Sequence, residues 1–368
     1  MLTKRSQVLE ESITLAITAL ANELKAKGED IISFSAGEPD FDTPQTIKNA
    51  AISAIEKGCG KYTAIAGIPE VLKAFNAYSI VTQGICSELY LYDIKQDLAL
   101  AHARDLEDMS AIHFSYTKIF HVPNLENLAS CDIIILAFRK ESLKELPSRL
   151  VELQNNILEL KDIVLTLKNA NFKGKYIVAT NPNDTITYYT QVLSQLPKNH
   201  VFGSGTNLDS SRLKKFLAKD LNINSKDIFA CMIGEHGDSQ FAALSNASVL
   251  GQNLLDFYKQ KLGKDLDIQE LEKAVISEGY FIYERKGRTE FGIGTSCVNL
   301  AKAILEDRKS LHPVSVVFDD IAFSMPAIIG KDGIEKVFEL KFNEKEKIKL
   351  ENSKQQIKNA IQSVKDKI

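Results

Sequence analysis

Cysteine is scarce and unpatterned in this sequence. The 368 residues contain five, Cys59, Cys86, Cys131, Cys231 and Cys297, an odd number with no Cys-x-x-Cys pair. That excludes a disulfide framework and a cysteine zinc site, and it points to reduced thiols in a cytosol. A basic excess is lacking as well: 45 Lys and Arg against 48 Asp and Glu give a net charge of -3, so nucleic acid is not an expected partner. No apolar run is long enough to span a bilayer, and Met1-Leu-Thr-Lys-Arg5 leads to Glu10 and Glu11 rather than to an apolar core. Neither export nor membrane insertion is therefore expected. Internal repeats are absent too. What is present is ordinary globular composition, 44% hydrophobic and 25% charged, over a length suited to roughly two domains with cores of their own.

Periodicity divides the chain into two kinds of text. Ser6 to Lys27 reads as an amphipathic helix closed by Gly28, Ile31 to Phe34 as a short strand, and Gly37 to Pro44 as a loop rich in turn formers. A helix over about Gln45–Lys57 ends at Gly58. The next begins with Pro69 in its first turn and runs to about Gln83, where Gly84 stops it. From there strands and helices alternate. Glu88–Asp93 is a short apolar strand ending in an acid, Ile94–Leu106 is helical, and Asp132–Leu136 and the run from Tyr176 read as strands buried on both faces. This alternation predicts an α/β fold with a doubly wound parallel sheet, whose ligands sit at the carboxyl ends of the strands, where Asp93 and Asn181 fall. Beyond Leu196, helices mix with short strands. The Lys/Glu-rich end, Asn343 to Ile368, is expected to be a solvated surface helix.

The chemistry concentrates in Ile233-Gly-Glu-His-Gly-Asp-Ser239. A histidine between two glycines has little side-chain crowding, and imidazole exchanges protons near neutral pH. By itself such a histidine is as readily a loop or core residue. The earlier segment Gly205-Thr-Asn-Leu-Asp-Ser-Ser-Arg212 supplies an aspartate able to orient the ring and an arginine able to grip a carboxylate.

With Glu88-Leu-Tyr-Leu-Tyr-Asp93, Asn181-Pro-Asn-Asp184, Lys286-Gly-Arg-Thr289, His312-Pro-Val-Ser315 and Ser324-Met-Pro326, these segments make the chain from about Ala77 onward resemble the lactate and malate dehydrogenase family. The lactate-type relatives look nearer. The resemblance implies a Rossmann-like NAD-binding domain followed by an α+β catalytic domain. It implies His236 as the acid/base, Asp209 as the residue that fixes its tautomer, and Arg212 as a bidentate clamp on the substrate carboxylate. Arg149, seven residues before Asn156 as in the family, matches the arginine that polarises the substrate carbonyl. Asn181 would hydrogen-bond the region of the reacting oxygen and Thr289 would line the pocket. Asp93 would bind the adenosine ribose of NAD. The implied partner is a small 2-oxo or 2-hydroxy acid, and the implied assembly a homodimer or homotetramer.

The sequence departs from that family in three places. The glycines of its Gly-x-Gly-x-x-Gly turn should fall at positions 68, 70 and 73, which are Ile68, Glu70 and Lys73 here. Glu70 would set negative charge near two phosphates, and Lys73 would offset part of it. Phe138-Arg139 stands where the family has Ala-Gly. The loop from Arg139 to Ser148 lacks Pro-Gly, and neither Ser142 nor Leu143 is the glutamine or arginine that separates lactate-type from malate-type substrates.

Residues 1–75 instead resemble the amino-terminal arm of class I aspartate aminotransferases, through Ser33 to Pro44 and Lys61-Tyr-Thr-Ala-Ile-Ala-Gly67. Gly37 and Tyr62 match positions near that family's substrate and cofactor phosphate. No Ser-x-x-Lys followed by Gly-x-Arg supplies the Schiff-base lysine, so pyridoxal phosphate chemistry is not expected. The organisation read here is 1–75 aminotransferase-like, 76–195 nucleotide-binding with an incomplete first strand, and 196–368 catalytic. Two functions compete: an NAD-dependent 2-hydroxy acid dehydrogenase, and a catalytically impaired fusion remnant acting only through subunit association.

Overall fold

Runs such as Ile133-Ile-Ile-Leu136 and Tyr176-Ile-Val178 have no polar alternation, so both of their faces must be covered. A computed structural model of the chain describes Leu24, Lys27 and Gly28, residues 71–138 and residues 149–368, with side chains outside the description at 71–74 and 149–151. The expected elements at Ile31–Phe34, Gly37–Pro44 and Gln45–Lys57, together with Lys61 to Gly67, Ile68, Pro69, Glu70 and the loop with Ser142 and Leu143, lie outside the described residues. The chain divides after Thr63. In the first unit the Lys27 N–H donates to the Leu24 carbonyl at 3.1 Å, and Gly28 takes φ +89°, as expected of a residue closing a helix.

The second unit opens with α1 (Val71–Gln83), which stops at Gly84. It continues β1 (Glu88–Leu91), α2 (Gln96–His113), β2 (Lys118–His121), β3 (Ile133–Leu136), α3 (Arg149–Asn169), β4 (Lys175–Val178), α4 (Asn183–Ser194) and β5 (Val201–Gly203). Next come α5 (Asn207–Leu221), β6 (Ile228–Phe229), β7 (Met232–Ile233), β8 (Phe241–Ala242), β9 (Ser248–Val249) and β10 (Gln252–Asn253). The chain closes with α6 (Leu254–Leu262), α7 (Ile268–Lys286), α8 (Phe291–Leu305), β11 (Ser310–Val317), β12 (Ala322–Gly330), β13 (Gly333–Val337) and α9 (Glu344–Val364).

The expected parallel sheet is present in two pieces. β3, β4 and β5 pair in parallel, and β11, β12 and β13 extend the same sheet antiparallel from β5. β1 and β2 pair in parallel with each other as a separate two-stranded sheet. A dinucleotide fold orders its strands 3-2-1-4-5-6, so the break falls where a first strand would sit, between β1 and β3. Side chains bridge it. Leu89 of β1 and Ile133 and Ile135 of β3 pack against one core, and Tyr90 and Ile134 belong to the core on the opposite face. The described residues place no strand in that gap, and the stretch expected to precede α1 lies outside them.

A third apolar cluster, with Leu213, Leu217 and Leu221 on one face of α5 against Met232, Leu254 and Val275, lies in the carboxy-terminal half of the chain. The carboxy-terminal helix corrects its expectation. It is not merely solvated: Glu346, Leu350, Ser353, Ile357 and Val364 are buried along one stripe. Its polar anchors are Lys349 Nζ on Glu272 at 2.6 Å and Glu346 Oε1 accepting the Ser245 N–H at 2.9 Å. Charge on the outer face hid the apolar stripe within (Ile348, on that outer face, is exposed). Ile357→Ala is therefore expected to cost about 2–5 kcal/mol in urea unfolding, and Ile348→Ala less than about 0.5 kcal/mol. Equal small losses would mean that α9 is not docked.

Candidate active site

Asp209 and Arg212 are three residues apart in the first turns of α5, so their side chains share a helix face. His236 follows β7 across a two-residue link. Hydrogen bonds hold these two elements in register. The Thr206 hydroxyl donates to the Met232 carbonyl at 2.6 Å, and the Met232 N–H donates to Ser210 Oγ at 2.9 Å. Gly205 makes the entry to α5 possible. It sits at φ +50°, and a Cβ there would lie 2.4 Å from the Ser315 nitrogen.

The result is a buried carboxylate between an imidazole and a guanidinium. Asp209, 1% exposed, accepts from Arg212 Nη1 at 2.8 Å through Oδ1 and meets His236 Nδ1 at 2.7 Å through Oδ2. Burial raises its carboxyl, but the His236 ring and the Arg212 guanidinium outweigh that and hold it below the usual carboxylate range. A guanidinium has five N–H donors, so pairing with Asp209 leaves donors for a ligand carboxylate. α7 passes close by: a Cβ on Gly279 would stand 3.3 Å from Arg212 Nη1. Tyr280, next on that helix, donates to Asp238 at 3.0 Å.

The exit of β4 joins the same site by an unexpected route. Asp184, the last residue of Asn181-Pro-Asn-Asp184, accepts the His236 backbone N–H at 2.6 Å and the Ser315 hydroxyl at 2.6 Å. It is 2% exposed, and burial outweighs those bonds to push its carboxyl up to about 6. Asn181 itself is exposed, and its carbonyl accepts from Asn156 Nδ2 at 2.8 Å. Thr289 is half-buried in front of Glu290, a buried acid paired with both Lys286 and Arg288. Arg149 is the first residue of α3, its side chain outside the description. Asp93 lies just past β1 at its carboxyl end, 9% exposed, with Oδ1 accepting the Lys95 N–H at 3.0 Å.

Of the residues singled out in the sequence, the structure thus joins His236, Asp209 and Arg212 directly, and ties the Asn181 loop to them through Asp184. Sequence reasoning missed Asp184, Ser210 and Ser315 as supports. All three stood inside quoted motifs, but nothing in their spacing showed what they would bond.

The sequence matches two family models: the NAD binding domain of lactate/malate dehydrogenase over residues 64–203, and the alpha/beta C-terminal domain of the same enzymes over residues 206–368. The chain belongs to the lactate/malate dehydrogenase family. The L-lactate dehydrogenase of Fusobacterium nucleatum is 36% identical over 279 residues, covering 74% of this chain and 87% of that protein. Among solved structures, MGS-M5, a lactate dehydrogenase from a Medee basin deep-sea metagenome library, superposes with TM-score 0.76 at 29% identity, over 80% of this chain and 96% of that one. The malate dehydrogenase of Cryptosporidium parvum gives TM-score 0.74 at 28% identity, over 80% and 96%.

For the family's dinucleotide, one described strand end carries a fitting acceptor. Asp93 presents a carboxylate at the end of β1, suited to ribose hydroxyls. Of the three turn positions without glycine, Lys73 falls in the first turn of α1 and the other two lie outside the described residues.

The Asp184 carboxyl makes a signed prediction. The folded chain keeps this proton up to about pH 6, while an unfolded aspartate releases it near 3.8, so between those values the folded state binds more protons and its stability falls as pH rises. Asp184→Asn removes the effect. The stability of wild type relative to that variant is expected to drop by up to about 3 kcal/mol from pH 4 to pH 6.5 in urea unfolding. A difference independent of pH would contradict the raised carboxyl.

Proposed function

We propose that the chain is an NAD-dependent oxidoreductase interconverting a small 2-hydroxy acid and its 2-oxo acid, L-lactate/pyruvate rather than malate/oxaloacetate. The observation that carries this reading is the buried Asp209 carboxylate shared by His236 and Arg212, which joins a proton-exchanging group to an anion-binding group. The naming of the Fusobacterium relative as an L-lactate dehydrogenase supports the choice of acid.

With Asp209 on Nδ1, that nitrogen carries the proton of the neutral ring, and Nε2 is the atom that exchanges with the substrate oxygen. In the reductive direction the imidazolium donates from Nε2 as the carbonyl becomes an alcohol, and Asp209 offsets the ring's charge beforehand. Arg212 holds the substrate carboxylate in a two-point grip that fixes which carbon faces the reductant. Arg149 polarises the carbonyl, Asn181 hydrogen-bonds near the reacting oxygen, and Thr289 lines the pocket. Asp93 takes the adenosine ribose. The bound dinucleotide would supply the hydride as NADH and accept it as NAD in the reverse direction.

The same reading takes 1–75 as an aminotransferase-like segment, 76–195 as the nucleotide-binding domain and 196–368 as the catalytic domain. It places a homodimer or homotetramer in the cytoplasm.

Purified protein is expected to oxidise NADH with pyruvate faster than with oxaloacetate. His236→Asn should lower kcat by about 10²–10⁴-fold, the usual weight of a positioned acid/base. Arg212→Lys should raise KM for the 2-oxo acid at least about tenfold, since lysine is a point charge without the fork. If no 2-oxo acid in a panel consumes NADH above the blank, the proposal fails and the impaired remnant takes its place.

A further inference from the structure

The segment that carries His236 is gripped from a direction that the acid/base pair does not use. Ser353 lies in the middle of α9 and is fully buried. Its Oγ accepts the backbone N–H of Glu235, the residue before His236, at 2.6 Å, and it lies 3.1 Å from Ser239 Oγ at the far end of the loop. Ser239 in turn donates to Glu235 Oε2 at 2.5 Å, so both ends of the loop close on one hydroxyl. Gly234 is what lets the backbone come so near. It has φ +89°, and a Cβ there would lie 2.4 Å from Ser353 Oγ, an approach that only glycine permits. Gly234 also exchanges two main-chain bonds with Ser324 of β12, at 3.1 and 2.8 Å.

We propose that Ser353 is a positioning residue for His236, making the carboxy-terminal helix part of the catalytic framework rather than a cover over the core. The role rests on His236 being the acid/base proposed above. The anchors of α9 bracket the contact: Lys349 binds Glu272 on α7, and the Ile361 carbonyl accepts from Tyr189 of α4 at 2.9 Å. Ser353 is therefore held by anchors before and after it on the helix, and it grips the Glu235 N–H while Asp184 grips the next one, that of His236, so the backbone carrying the imidazole is fixed at two consecutive amides. Removing the hydroxyl leaves an N–H without its acceptor and lets the loop drift by fractions of an ångström, a displacement to which proton transfer is sensitive.

The test is Ser353→Ala in the full chain, with Ser363→Ala, an exposed serine on the same helix, as control. Amide exchange over 232–240 should quicken at least about tenfold in Ser353→Ala and not in the control. In turnover with NADH and pyruvate, kcat should fall about tenfold or more while KM for pyruvate stays within about twofold, because Arg212 is untouched. Unchanged exchange, or kcat and KM moving together, overturns the proposal. So does a Glu235 amide in wild type that exchanges as fast as an unbonded loop amide, a measurement that needs no variant. If wild type exchanges slowly there yet turns over no 2-oxo acid, the functional reading fails while the grip of Ser353 on the loop stands.

Discussion

Burying a carboxylate costs several kcal/mol unless strong hydrogen-bonding partners replace its water, and Asp209 is buried with a guanidinium and an imidazole. That pairing is the constraint around which the carboxy-terminal domain is built. Neither partner can be lost without leaving one carboxylate oxygen unpaired, so His236 and Arg212 are obliged to stand together although they come from different elements. The price of an isolated buried charge is thereby turned into a fixed geometry: one oxygen orients the ring and the other steadies the guanidinium.

The rest of the unit delivers these groups to one place with hydrogen bonds that tolerate little slack. α5 is laced to β7 through Thr206 and Ser210. Strands β11 and β12 place Ser315 opposite Ser324 in register; Ser315 bonds Asp184, and Ser324 Oγ accepts the Thr206 N–H at 3.0 Å. The long antiparallel strands therefore serve the site as much as the core, and the nucleotide half communicates with the histidine loop through Asp184.

Much of this was legible in the sequence because it is local. Gly28 and Gly84 end helices where left-handed backbone is needed, the unalternating Ile133–Leu136 run is a covered strand, and Asp209 and Arg212 share a helix face by spacing alone. What stayed hidden was long-range. The bond from Asp184 to His236 joins positions fifty-two residues apart, and that from Ser353 to Glu235 spans 118. No periodicity records such pairings. In α9 the signal was present but masked, since lysines and glutamates on the outer face outnumber the apolar residues of the buried stripe.

The central claim is that Asp209 fixes the tautomer of His236 and so dedicates Nε2 to proton exchange. Nitrogen NMR of histidine-labelled protein, with the His236 signals assigned by their loss in His236→Asn, tests it without any need for turnover. Above the ring's titration the account predicts a protonated Nδ1 and an unprotonated Nε2. A ring carrying its proton on Nε2 would contradict it.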